Sequence, residues 1–143
     1  MDLLNDEFPF AKTALSGKHA LIFGASKGIG AATAKMMAMA GADVTLCARN
    51  EDSLVNIVSQ ISEFATGKIS HAVIDLEDLD AIDGLIENLL QDNPPVHILI
   101  NNSGGPPGGP LLDNTVTDLS RTSEGVVRFN CSRKAEPERM ETS

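Results

Sequence analysis

Four short apolar runs occur in the first two thirds of the chain. They cover residues 18–23, 43–48, 68–74 and 96–100, and glycine, proline or charged residues lie near their ends. Runs of this length that are rich in valine, isoleucine and leucine are typical of β-strands. The apolar and β-branched content of the second run suits a parallel strand that is covered on both faces. We therefore predict four strands.

The stretches between these runs carry apolar residues at helical spacing. The stretch after the second strand shows the i, i+3, i+4, i+7 pattern of one helix face at Leu54, Ile57, Val58 and Ile61. The pattern predicts three amphipathic helices, over about residues 31–40, 51–65 and 79–90. Pro94 and Pro95 end the third stretch, because proline cannot continue a helix.

Strands that alternate with helices predict an α/β fold. The alternation indicates a parallel sheet with right-handed crossovers. We expect the spatial order 3-2-1-4, which is half of a doubly wound sheet. The small residues of the first helix allow it to lie close to the sheet. We expect its larger apolar side chains to fill the core, in particular Met36, Met37 and Met39.

A glycine-rich turn joins the first strand to the first helix. Its glycines are Gly24, Gly28 and Gly30, spaced Gly-x-x-x-Gly-x-Gly. Glycines at such a turn let the backbone bend sharply and approach a pyrophosphate, and the following helix directs its free N–H groups at the anion. A strand before the turn and a helix after it are the context that this motif requires. The sequence therefore predicts a Rossmann-type dinucleotide-binding fold. The alternative is that the glycines only serve turn geometry and packing.

Composition narrows the possible functions. The chain has 143 residues and a net charge of −9, which suits one domain and argues against a basic groove for nucleic acid. The apolar runs are too short for a membrane span, and the acidic start does not resemble a leader. Cys47 and Cys131 indicate two thiols in a reducing cytoplasm. The three histidines, His19, His71 and His97, have no metal-site spacing.

The character of the chain changes after residue 117. Four of the five arginines lie in residues 118–143, where apolar periodicity is nearly absent. Residues 1–117 carry the whole net charge of −9, whereas residues 118–143 carry five basic and five acidic side chains. We expect a surface lead-in over residues 1–16, a dinucleotide-binding half-domain over residues 17–117 and a disordered tail over residues 118–143.

Together with Asn101-Asn102-Ser103-Gly104 after the fourth strand, the glycine motif resembles the short-chain dehydrogenase/reductase family. The second motif of that family is usually Asn-Asn-Ala-Gly, so Ser103 departs from it. The resemblance extends over about residues 15–117 and implies hydride transfer between a nicotinamide dinucleotide and a small carbonyl or alcohol substrate. Residues 103–110 also resemble members described as 3-oxoacyl-carrier-protein reductase-like.

The resemblance implies that Ser26, Lys27 and Ile29 line the cofactor turn. An NAD enzyme of this kind has a carboxylate at the end of the second strand, which accepts a hydrogen bond from the ribose 2′-hydroxyl. That carboxylate is absent here, since Arg49 and Asn50 follow the strand. A guanidinium suits a 2′-phosphate, and in NADP-preferring members basic residues at the position of Lys27 reach it as well. We therefore expect NADP(H) rather than NAD(H).

Residues after the third and fourth strands complete the implied cofactor site. In similar proteins the residue at Asp75 binds the adenine amine, with help from the backbone of Leu76. The alternative for Asp75 is an N-cap or turn role only. The resemblance also implies that Asn101 ties the sheet together, whereas the backbone after it passes along the ribose. That backbone comprises Asn102, Ser103 and Gly104.

The sequence lacks the proton donor that the family resemblance implies. The resemblance implies a Tyr-x-x-x-Lys pair in which tyrosine donates the proton, but the chain contains no tyrosine. We therefore assign no catalytic residue and no metal ligand. We expect the chain to be the NADP(H)-binding part of a reductase, cut or frameshifted near Asp118, whose parent could form oligomers. The alternative is a non-catalytic dinucleotide-binding module that is regulatory or completed by a partner.

Overall fold

A parallel four-stranded sheet forms the centre of the molecule. The computed structural model describes residues 10–92 and 95–102. Its elements alternate in chain order: β1 (His19–Phe23), α1 (Gly28–Met39), β2 (Asp43–Ala48), α2 (Glu51–Ser62), β3 (Ile69–Val73), α3 (Leu79–Asp92) and β4 (Ile98–Ile100). All strand pairs are parallel, and the order across the sheet is β3-β2-β1-β4. The predicted α/β fold and strand order are confirmed.

Two hydrophobic clusters cover opposite faces of the sheet. One joins Ile22 and Leu46 of the central strands to Ala34 of α1 and to Leu54 and Ile61 of α2. The other joins the alternate strand residues to α3, at Leu21, Phe23, Cys47, Ile82 and Ile86. Because successive strand residues point to opposite faces, β1 and β2 are buried on both sides, as the sequence predicts for β2.

Helix α1 packs on the sheet mainly through small residues, and Met37 also packs against the core cluster from a half-buried position. Its buried positions are Gly30, Ala31, Ala34 and Ala38. Met36 is 37% exposed, whereas Met37 and Met39 are half-buried. The prediction that the methionines fill the core is therefore wrong for Met36. The alanine face allows the helix axis to approach the sheet, and this close approach leaves Met36 on the exposed side of the helix.

A string of hydrogen-bonded polar side chains crosses the amino edge of the sheet. His19 Nε2 lies 2.8 Å from Thr45 Oγ1, which lies 2.9 Å from Ser70 Oγ. On the other side, the His19 backbone N–H donates to Nδ1 of His97, just before β4. These four residues belong to four neighbouring segments of the sheet. His19 and Thr45 are buried, so their polar atoms depend on these partners.

Several predictions fall outside the described residues. They include the tail over residues 118–143, most of the lead-in, Cys131, Ser103 and Gly104. In the part of the chain that the structure describes, no helix is long and apolar enough to cross a membrane. The described residues likewise contain no group of three histidine, cysteine or acidic side chains that could hold a metal ion.

Candidate functional site

The glycine-rich turn lies at the carboxyl edge of the sheet, between β1 and α1. Gly24 and Gly28 both have positive φ angles, 64° and 57°. An L side chain costs about 1–2 kcal/mol in this left-handed region, so glycine suits both positions. The two bends reverse the chain direction and begin α1 directly under the turn.

On the side toward the end of β4, this turn makes close contacts with Asn102. The side chain of Asn102, after β4, donates from Nδ2 to the Gly24 carbonyl oxygen at 3.4 Å. A Cβ atom added to Gly24 would overlap the Asn102 carbonyl, and one added to Gly30 would overlap the Gly24 carbonyl. Both positions therefore require glycine for space.

The tie between the fourth strand and the turn is made by the second asparagine of the Asn-Asn motif. Asn101, to which the family resemblance gave the role of tying the sheet together, is exposed. Asn102 faces the turn because successive residues of an extended segment point to opposite sides. Asn102 therefore makes the contact to the turn, whereas the sheet-tying role that the resemblance implies for Asn101 stays a prediction.

Helix α1 directs its N-terminus into an open cleft. Its N-cap residue, Lys27, has an extended backbone and makes no capping hydrogen bond through its side chain. No acidic residue stands in its first turn. The first amides of an α-helix have no partner within the helix, and the helix dipole favours negative charge at this end. A bound anion can therefore satisfy these donors.

The cleft has a volume of about 540 Å³ and brings together most of the predicted site residues. The turn contributes Gly24, Ser26, Lys27, Gly28 and Ile29. The ends of the strands contribute Arg49, Asn50, Asp75, Leu76 and Asn102. Gly30 lies behind the cleft wall, against Gly24 and Asn102.

Ile29 is the most exposed large apolar residue at the cleft. Its side chain is 77% exposed although it lies in the first turn of α1. An apolar side chain at this position does not belong to either core cluster. It instead gives the cleft an apolar surface beside the helix N-terminus, which suits a ligand with an aromatic or apolar part.

Asn50 and Asp75 both use their side chains to shape the backbone. Asn50 is the N-cap of α2, and its Oδ1 accepts from the Ser53 N–H at 2.8 Å. Asp75 Oδ1 accepts from the Glu77 N–H at 2.9 Å, which forms a tight turn after β3. The turn role of Asp75 that the sequence left open is thus present, and the carboxylate still lines the cleft.

Glu77 is a cleft residue that the sequence analysis missed. Its Oε1 lies 3.9 Å from a guanidinium nitrogen of Arg49, and both side chains line the cleft. Because β3 and β2 are neighbours, the segments after these two strands meet at the same edge of the sheet. The predicted strand order 3-2-1-4 already indicates this contact, since it places residues after Asp75 beside residues after Ala48.

Cys47 lies under the cleft and is fully buried. Burial raises the pKa of its thiol to about 12, because a thiolate would lose its hydration there. The thiol is therefore protonated at neutral pH, and its place in the core cluster indicates a packing role.

Comparisons with known proteins agree with the motifs. The family model described as short chain dehydrogenase matches residues 18–135. The chain is 43% identical to gluconate 5-dehydrogenase of Gluconobacter oxydans (strain 621H) over 119 residues, which cover 80% of this chain and 46% of that protein. It is 42% identical to fatty acyl-CoA reductase of Acinetobacter baylyi (strain ATCC 33305 / BD413 / ADP1) over 90 residues, which cover 63% of this chain and 30% of that protein.

A solved structure resembles the fold as well. It is the crystal structure of a metagenomic short-chain oxidoreductase in complex with NADP, with a TM-score of 0.71 and 30% identity. The match covers 83% of this chain and 56% of that chain. This chain thus spans about half or less of the length of these similar proteins.

Proposed function

Because the chain belongs to the short-chain dehydrogenase family, we propose that its cleft binds NADP(H) as the cofactor-binding part of an oxidoreductase. The observation that carries the proposal is the turn in which Gly24, Gly30 and Asn102 pack together. This turn presents the N-terminus of α1 to the cleft without a side-chain cap. Lys27 and Arg49 add two cations beside it.

Each wall of the cleft suits one part of the dinucleotide. The amides at the start of α1, around Gly28 and Ile29, would hold the pyrophosphate. Asp75 and the backbone of Leu76 would bind the adenine amine. Asn102 is proposed to lie along the ribose together with the two residues that follow it, Ser103 and Gly104.

The cations favour the phosphorylated cofactor. Arg49 and Lys27 line the cleft, and an arginine can form two parallel hydrogen bonds to a phosphate. Asn50 adds an amide beside Arg49. The similar metagenomic oxidoreductase was solved with NADP, which supports the same cofactor here.

The proposed reaction of the complete enzyme interconverts a ketone or 3-oxoacyl group and its alcohol. When bound, the nicotinamide supplies or accepts the hydride. The residues of this chain bind and orient the cofactor, and the chain has no tyrosine to serve as the proton donor of the family. A positioned general acid contributes about 10²–10⁴-fold in rate, so we expect cofactor binding with little or no turnover.

The missing tyrosine also supports a second candidate function. A chain that binds the dinucleotide without turning over substrate could act as a regulatory module, or as one that a partner chain completes. A polypeptide that supplies a proton donor should restore NADPH oxidation to the cofactor-binding part of an oxidoreductase or to a module that a partner completes, but not to a regulatory module. Absorbance at 340 nm would follow that oxidation.

Titration of the 143-residue chain with NADPH and NADH tests the cofactor proposal. We expect saturable NADPH binding and weaker NADH binding by fluorescence. Loss of the charged pair with the phosphate in Arg49→Gln should weaken NADPH binding about tenfold and change NADH binding less than about twofold. Lys68→Gln is the control, because Lys68 precedes β3 at the opposite edge of the sheet. A chain that binds neither cofactor would contradict the proposal.

A further inference from the structure

Two residues of opposite charge meet at the rim of the cleft. Arg49 follows β2, Glu77 follows β3, and their side chains approach to 3.9 Å. They are 66% and 59% exposed, so water surrounds both groups. An ion pair of this length and exposure is weak and exchanges readily for another partner. Arg49 is therefore held by a carboxylate that a stronger anion can replace.

The turn after β3 places this carboxylate. The side chain of Asp75 accepts from the Glu77 N–H, and its carbonyl oxygen accepts from the Asp78 N–H. Both bonds fold the segment back toward the end of β2. The acidic residues in the first turn of α2, Glu51 and Asp52, do not line the cleft. Glu77 is thus the carboxylate that the fold presents to Arg49.

A phosphate at Arg49 would meet this carboxylate at short range. The phosphate must exchange with Glu77 for the guanidinium, and the two anions then repel each other. A ligand with a ribose 2′-hydroxyl in place of the phosphate meets neither effect. The resulting loss of affinity for the phosphorylated ligand is modest, because solvent screens charges at an exposed rim.

We infer that Glu77 is a specificity-determining residue that lowers the preference of the cleft for NADP(H) over NAD(H). It holds Arg49 when no 2′-phosphate is bound and opposes the phosphate when one binds. The sequence provides no carboxylate directly after β2, and the fold supplies one from β3 instead. This inference rests on the proposed dinucleotide binding, and it concerns the 2′ position alone.

The test compares two nucleotides that differ only at that position. Adenosine 2′,5′-bisphosphate and 5′-AMP are titrated into the 143-residue chain and into Glu77→Gln by calorimetry at low ionic strength. We expect Glu77→Gln to bind the bisphosphate about threefold to tenfold more tightly and 5′-AMP within about twofold of the parent chain. The gain should shrink as salt is added.

Two further variants separate the local effect from general ones. Glu63→Gln removes the same charge at the other end of α2, far from the cleft, and should leave both affinities unchanged. In the Arg49→Gln background, Glu77→Gln should keep only the part of the gain in bisphosphate affinity that comes from relief of direct repulsion, because the competition for the guanidinium is gone. Glu77→Ala should act in the same direction as Glu77→Gln, and thermal unfolding checks that each variant is folded.

The outcomes distinguish this inference from the function on which it rests. If the parent chain binds neither nucleotide and neither cofactor, the proposed function fails. If it binds both nucleotides but Glu77→Gln behaves like Glu63→Gln, binding stands and the role of Glu77 is overturned. Weaker bisphosphate binding in Glu77→Gln would show that Glu77 positions Arg49. A selective loss of 5′-AMP would show that it holds the 2′-hydroxyl, and both results contradict the inference.

Discussion

Gly24, Gly30 and Asn102 form a contact in which no atom can be added. Gly24 and Gly30 are six positions apart, whereas Asn102 comes from the end of the fourth strand. The contact sets how near the turn lies to β4 and therefore how the cleft is closed on that side. Gly28, in the same motif, faces open space and needs glycine only for its backbone angle.

This difference predicts unequal costs for two alanine substitutions. Gly30→Ala gains about 1 kcal/mol of helix propensity, but its Cβ overlaps the Gly24 carbonyl, and such overpacking costs about 3 kcal/mol or more. Gly28→Ala forces a left-handed alanine at a cost of about 1 kcal/mol. Urea unfolding of both variants measures the two free energies. Equal costs would show that the turn relaxes around Gly30.

Cys47 predicts how the stability of the chain depends on pH. The ordinary pKa of the thiol is 9.0, and burial raises it to about 12 in the folded chain. Between these values the unfolded chain releases the proton first, so stability present below pH 9 is lost as pH rises toward 12. The loss approaches about 1.4 kcal/mol per pH unit.

Chemical unfolding of the parent chain and Cys47→Ala at several pH values measures this slope. Cys131 and the lysines are common to both chains, so the difference between the two profiles isolates Cys47. We expect the parent chain to lose stability more steeply above pH 9. Parallel profiles would mean that the thiol ionises in the folded chain as it does in the unfolded one.

At the scale of the elements, hydrophobic periodicity located the helices and strands. The observed α2 buries Leu54 and Ile61, which lie on its predicted apolar face, and α3 buries Ile82, Ile86 and Leu89 within the predicted range of the third helix. The predicted ends differ by a few residues, for example at α1, which begins at Gly28 because the Ala31 N–H already donates to the Lys27 carbonyl oxygen. Periodicity reports burial along an element but not the local hydrogen bonds that end it.

The face of α1 shows where periodicity fails. Methionine ranks above alanine in hydrophobicity, yet Ala34 is fully buried and Met36 is 37% exposed. The distance between helix and sheet decides this outcome, and a sequence pattern does not contain that distance. Small residues at helical spacing are the only local sign of a close approach.

Two substitutions on α1 test the close approach. Ala34→Leu inserts three carbons between the helix and the sheet, and we expect it to cost about 2–3 kcal/mol through overpacking. Met36→Ala removes a partly exposed side chain and should cost less than about 1 kcal/mol. Thermal or urea unfolding compares the two. A larger cost for Met36→Ala would contradict the assignment of the buried face.

At the scale of the whole molecule, the fold class determines the topology. Strands that alternate with helices predict a doubly wound parallel sheet with the order 3-2-1-4, and the structure confirms this order. The same order determines which loops share the cleft. Arg49 and Glu77 meet for this reason, although 28 positions separate them in the sequence.

The parts of the site that escaped prediction depend on single side-chain directions. Whether Asn101 or Asn102 faces the turn depends on the phase of one short strand, and a resemblance between motifs does not fix that phase. The pairing of Glu77 with Arg49 depends on the turn made by Asp75. The glycine spacing, in contrast, encodes a backbone path directly, which is why that part of the site was predictable.

The polar string across the amino edge of the sheet specifies the strand register, which apolar side chains alone do not specify. A strand that is buried on both faces can slide along its neighbour by one residue and still present only apolar side chains. His19, Thr45, Ser70 and His97 remove this ambiguity, because a slipped strand would leave a buried hydroxyl or imidazole without its partner. These hydrogen bonds therefore favour the native register of the four strands over slipped registers during folding. The alignment of the cleft at the opposite edge of the sheet depends on that register.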